Sequence, residues 1–149
     1  MPAALCSKCF ILSVLLLVGG CGYLAARALE GTEAEVPASF SLDAKTPCYL
    51  ELGPNTTALR MNCFDLDGVL HIHSSRWSKL PRFSGESWTI TVQRQPHVRV
   101  ELDGKIYQMT AELIDDEAHR QKILYDRGYW HAWDAILVFK FHSQDGALG

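Results

Sequence analysis

Between positions 74 and 82 the chain carries Ser74, Ser75, Arg76, Ser78, Lys79 and Arg82. On a loop leaving a strand, such a set can hold a phosphate, the hydroxyls by hydrogen bonds and the cations by charge. A solvated basic loop facing water or a membrane surface has the same composition. Just upstream, His71 and His73 alternate along a strand and so project from one face. Zinc would need at least a third protein ligand, for which His97 or His131 are the candidates. Two histidines at the edge of a pocket satisfy the same pattern, and no metal site is assigned. Cys6 and Cys9 form a lone CxxC ahead of an apolar run, with no downstream partner pair. No Ser/His/Asp or Cys/His constellation marks a nucleophile.

These residues need a sheet to position them. Asp67-Gly68 is a two-residue hairpin turn joining strands over 61–66 and 69–74. Upstream, 48–64 reads as a hairpin around Gly-Pro-Asn-Thr-Thr at 53–57. Folded so that Leu52 faces Leu59, it sets Leu50 against Met61, Glu51 against Arg60 and Cys48 against Cys63. That register permits a Cys48–Cys63 disulfide in an oxidising compartment; two buried free thiols fit it equally. The segment 87–95 is ambiguous, with Glu86-Ser87-Trp88 suited to a helix start and Thr89 to Val92 β-branched; Pro96 ends it either way. A second Asp-Gly turn at Asp103-Gly104 joins 98–102 to 105–113. The segment 115–125 predicts a helix with acids first and bases later. Its inner face would be Ile114, Ala118, Gln121 and Leu124 or Tyr125. Gly128 breaks it, Tyr129, Trp130 and Trp133 form an aromatic cluster, and 135–141 is a buried strand.

The 149 residues allow one domain plus an anchor, and 48% hydrophobic residues suffice for a core. A net charge of −3 argues against a general nucleic-acid binder. Residues 9–18 are apolar apart from one serine. Val18-Gly19-Gly20-Cys21 resembles a lipobox with Cys21 as the lipidated residue, whereas apolarity continuing to Leu29 fits a membrane-spanning helix. Both readings put the remainder outside the cytoplasm, on the periplasmic or outer side. The expected organisation is an anchor over 1–29, a linker over 30–45, a barrel domain over 46–142 and a polar tail over 143–149.

The order of these elements resembles the split β-barrel of flavin-reductase-like and pyridoxamine-phosphate-oxidase-like proteins, and is especially similar to the deazaflavin-dependent nitroreductases. The resemblance covers roughly 59–141. It is carried by Trp88, the strand Gln95-Pro96-His97-Val98-Arg99-Val100-Glu101, Asp103-Gly104, Tyr107, Ala111 and the acidic helix start Asp115-Asp116-Glu117. It implies a mainly β fold, a split β-barrel of about six strands with one or two helices, to which the sequence itself adds the N-terminal membrane-anchor segment. It further implies FMN or a deazaflavin, with Arg76, Lys79 and Arg82 as phosphate contacts, Ser74 and Ser75 adding hydrogen bonds, and Trp88 beside the cofactor. His73, Tyr125, Tyr129 and Trp133 would border the pocket, and a homodimer would be the usual assembly. The chain departs from the family in lacking glycine between Gly68 and Gly85, where Trp77 and Leu80 stand.

Two functions follow. One is a flavin- or deazaflavin-dependent oxidoreductase passing hydride to a quinone-like or nitro-type acceptor. The other is a tethered, cofactor-free module that binds a small ligand or a protein.

Overall fold

The computed structural model describes residues 27–54, 56–75, 86–129 and 135–144. Of the expected anchor over 1–29, residues 1–26, with the lipidation candidate Cys21, lie outside the described residues, whereas Arg27 near its end is bound to the barrel. Arg76, Lys79, Arg82, His131, Trp133 and the tail beyond residue 144 also lie outside the described residues.

Nine elements are described. They are β1 (Thr32–Glu33), β2 (Thr46–Glu51), β3 (Leu59–Leu66), β4 (Val69–His73), α1 (Trp88–Arg94), β5 (His97–Leu102), β6 (Lys105–Leu113), α2 (Glu117–Asp126) and β7 (Val138–Ser143). Six of the strands run in the order β6-β5-β2-β3-β4-β7, and pairing of β6 with β7 closes them into an antiparallel barrel. The mainly β barrel with two helices is thus as expected. Closure leaves no open edge among these strands, which removes the usual route to edge-to-edge aggregation.

Alternation sorts the side chains. Leu50, Cys48, Cys63, Leu70, Ile72, Val98, Val100, Met109, Phe139 and Phe141 point inward and form one core. The outward residues Phe64 and Val138 join Ile114, Ile123, Leu124 and Ile136 in a second cluster beneath α2. Both Asp-Gly turns form as read. Asp67, Gly68, Asp103 and Gly104 all have positive φ (52°, 80°, 50° and 71°), the pairing that suits a right-twisted hairpin.

Two readings need correction, and one left open is decided. The β2–β3 register is two residues away from the expected one: Leu50 faces Leu59 and Cys48 faces Met61. A shift of two preserves the faces, so Cys48 and Cys63 still share the barrel interior. They bond diagonally, with Cα atoms 5.8 Å apart and no solvent exposure. Ala58, just before β3, pairs with Arg27 and not with β2. Glu51 consequently bonds Arg99 across β5, at 2.9 Å, in place of Arg60. The ambiguous segment is helical as α1, despite its β-branched run. Trp88 and Val92, one helical turn apart, are buried together in the barrel core, and this tertiary burial overrides local propensity. Finally, α2 buries Ile123 and Leu124, while Ala118 and Tyr125 are exposed. Asp116 caps it, accepting from the Ala118 and His119 amides at 3.0 and 3.2 Å.

Residues 27–45, which span the expected linker, lie along the barrel as a strap. β1 pairs in parallel with β6. Gly31 packs so tightly that a Cβ there would stand 2.6 Å from the Gly104 carbonyl oxygen. Phe40 enters the core edge-on to Tyr107, and its amide donates to Gly68 O at 2.8 Å. Leu42 N donates to the Asp65 carboxylate at 2.9 Å.

The strap is held by charge as well. Arg27 forks onto Glu101, Nη2 to Oε1 at 2.6 Å and Nη1 to Oε2 at 3.1 Å. The Glu30 amide adds a third bond to that carboxylate. The Arg27 hydrogen bonds hold the Glu101 carboxyl below the usual carboxylate range. Farther along, Arg99 links Glu51 to Glu33 on the strap.

Candidate functional site

The outward face of β4 presents Val69, His71 and His73, because their neighbours Leu70 and Ile72 fill the barrel. Phe64 stands opposite His71 on β3, and the two rings stack with centroids 5.4 Å apart. Arg127, at the C-terminal cap of α2, lies over the Phe64 ring at 3.6 Å. Gly128, at φ 81°, turns the chain back so that Tyr129 meets His73 edge-on at 4.8 Å.

Strap and helix then enclose a cleft of about 460 Å³, lined by Ala44, Lys45, Asn62, His73, Arg127 and Tyr129, among others. Ala44 is bound through its carbonyl oxygen to the Arg127 guanidinium. The strap is therefore a wall of the site.

Both histidines are oriented through Nδ1. His71 Nδ1 lies 2.8 Å from Val69 O and His73 Nδ1 3.1 Å from Ser74 O. A carbonyl oxygen only accepts, so each Nδ1 carries the proton and each Nε2 keeps its lone pair. Burial lowers both pKa values, and the nearby Arg127 charge lowers them further. Burial also lowers that of Arg127, whose Nε is buried without a hydrogen-bond partner among the described residues. The arrangement offers the Lys45 and Arg127 charges to an anion and ring edges to a flat ligand, beside an Asp126 carboxylate that is paired with Lys122.

The expected site residues divide into groups. His73 and Tyr129 come together in the cleft. Tyr125 lies on the outer side of α2, 61% exposed. Ser74 is buried, and its hydroxyl accepts from Leu137 N at 2.9 Å while contacting Ser75 O, which ties β4 to the segment before β7. Ser75 is exposed, where the chain leaves the end of β4. Trp88 packs against Phe139 in the barrel core and borders a different recess, shared with Leu52, Pro54, Thr56 and Gln95. Arg76, Lys79, Arg82 and Trp133 lie outside the described residues.

Sequence reasoning missed Lys45, Asn62 and Arg127. Lys45 fell in the expected linker, and Arg127 lies beyond the expected helix over 115–125. The position of Gly128 one residue on was the only local hint that the chain folds back there.

No family model matches this chain, and no curated protein does. Solved structures do. One is from Listeria innocua and is named a "Putative Pyridoxamine 5'-phosphate oxidase": 20% identity, TM-score 0.49, covering 66% of this chain and 84% of that one. Another is a "putative 5-nitroimidazole antibiotic resistance protein" from Bacteroides thetaiotaomicron: 15% identity, TM-score 0.45, covering 65% and 72%.

Proposed function

We propose that this chain is a membrane-anchored, extracytoplasmic split-barrel protein of the flavin-binding kind, and that it binds FMN or a deazaflavin in the cleft between strap and α2 as an oxidoreductase. The cleft carries the proposal. Its volume of about 460 Å³ suits a cofactor-sized molecule. Lys45 and the Arg127 guanidinium give the cleft positive charge beside the Asp126 carboxylate, and the His73–Tyr129 ring pair gives it aromatic edges. In sequence, Ser75 is followed by the cations Arg76, Lys79 and Arg82, which lie outside the described residues.

When bound, such a cofactor supplies the hydride. The chain's own residues have simpler tasks. Lys45 and Arg127 neutralise the anion, Phe64 and His71 pack behind His73, and neutral His73 presents Nε2 as an acceptor. The buried disulfide supports the extracytoplasmic part of the reading, because disulfides persist in oxidising compartments.

A cofactor-free binding module is the competing reading. The engagement of the Ser74 hydroxyl within the fold and the seclusion of Trp88 in the core favour it, since both were expected beside a cofactor.

Titration of FMN and of a deazaflavin into the full chain in detergent micelles separates the two. Saturable quenching of cofactor fluorescence is expected. Lys45→Ala should weaken it about tenfold, as loss of one charged hydrogen bond does, and the Arg76/Lys79/Arg82 triple alanine variant should weaken it further. Absence of saturation with either cofactor leaves the module reading.

A further inference from the structure

The cleft between strap and α2 holds more positive charge than it pairs. Lys45 and Arg127 have no carboxylate partner among the described residues, whereas Asp126 is engaged by Lys122 at 2.7 Å. The Arg127 guanidinium donates to a neutral acceptor, the Ala44 carbonyl, and lies over the Phe64 ring. A half-buried cation without a counter-charge favours an anion beside it. His73 is placed to join these cations. Its ring lines the same cleft, with the Phe64 centroid at 5.9 Å and that of Tyr129 at 4.8 Å. Nδ1 is committed to Ser74 O at 3.1 Å, and Nε2 makes no hydrogen bond among the described residues. Nε2 is thus the ring atom left for a ligand or a proton.

Resting on the reading of this cleft as an anion site, we infer that it takes up a phosphate-type dianion together with one proton from solvent, which His73 receives at Nε2 and presents as a charged hydrogen bond beside Lys45 and Arg127. The charged and titratable groups around the ring are Lys45 from the strap, Arg127 and the paired Asp126 from α2, Tyr129 beyond it and His71 on its own strand. β3 and β7 bring the uncharged Asn62, Phe64 and Val138. Lys140 and His119 act on His71 instead. Burial and the Arg127 charge both disfavour a proton on His73. A dianion against Arg127 offsets that charge and favours the imidazolium. The coupling has a definite sign. A proton is taken up at any pH between the values at which His73 titrates with and without the anion. Affinity therefore rises as pH falls through the upper value and levels off below the lower one.

Sulfate is the probe, because it stays a dianion between pH 7.5 and pH 5.5, where a phosphate monoester itself titrates. It is added to the full chain in detergent micelles at constant ionic strength, while NMR follows the histidine side-chain nitrogens. Saturation is expected, with His73 Nε2 moving to its protonated position and affinity about tenfold higher at pH 5.5 than at pH 7.5. His73→Gln should remove the pH dependence, since an amide of similar reach does not titrate. Lys45→Ala should weaken binding at both pH values and keep their ratio. Saturation without pH dependence, or with the same dependence in His73→Gln, would overturn the inference and leave the cofactor reading standing. Flavin binding without sulfate binding would do the same. Sulfate binding coupled to His73, without binding of either flavin-type cofactor, would uphold the inference and overturn the cofactor reading. Binding of neither would overturn both.

Discussion

His71 illustrates how a side chain's surroundings decide its charge. Its ring is 4% exposed, stacked on Phe64, and hydrogen-bonded at Nδ1 to Val69 O. Protonation would place a charge at Nε2 in a buried site that also faces His119, Lys140 and Arg127. The folded pKa is therefore below the unfolded value of 6.5, and the same holds for His73. The unfolded chain binds more protons as pH falls through that value, so this contribution to stability is complete above it and declines below. The urea midpoint should drop between pH 7.5 and pH 5.5, and His71→Asn should flatten that dependence. Asn can keep the bond to Val69 O without titrating. An unchanged slope would place the titration elsewhere.

The strap shows that a segment poor in periodicity can still belong to the fold. Its composition reads as a linker because most of its contacts are made by backbone and by isolated side chains, not by a repeating apolar face. β1 has just two residues, yet the Thr32 and Ala34 amides donate to Gly104 O and Ile106 O at 2.9 Å each. Its weak point is Gly31. Gly31→Ala should cost about 1–3 kcal/mol, the usual effect of overpacking, because the Gly104 backbone opposite cannot yield like a flexible side chain. A glutamate-specific protease should then cut at Glu30, Glu33 or Glu35, which the native strap resists. Equal resistance in both proteins would mean that the strap adjusts without detaching. α1 teaches the complementary lesson. Its Thr-Ile-Thr-Val run favours a strand locally, and only the joint burial of Trp88 and Val92 in the barrel makes it a helix.

For the whole molecule, the Cys48–Cys63 bond crosses the interior and staples β2 to β3 with a sequence separation of 15 residues. Closing a loop of that size in the unfolded chain is worth about 3 kcal/mol on the chain-entropy account. The Cys48→Ala, Cys63→Ala double variant should lose at least about that much, as measured by urea unfolding at pH 7.5. The native bond should resist reductant until the protein unfolds, because neither cysteine is exposed. A variant as stable as the native chain would show that packing alone closes the barrel.

What residue order alone determined was local. Asp67-Gly68 and Asp103-Gly104 named their turns, alternation named the inward faces, and the spacing of cysteines on one face survived even a register error of two, because side chains repeat every two residues along a strand. The His73–Tyr129 cleft was half legible, since both residues stood out by type. Its Lys45 wall, the Arg127 that closes it, the burial of Trp88 and the clamp of Arg27 on Glu101 were decided by tertiary structure. Arg27 and Glu101 are 74 positions apart and Ala44 and Arg127 are 83 apart, and no local propensity or period encodes a contact made only when the barrel closes.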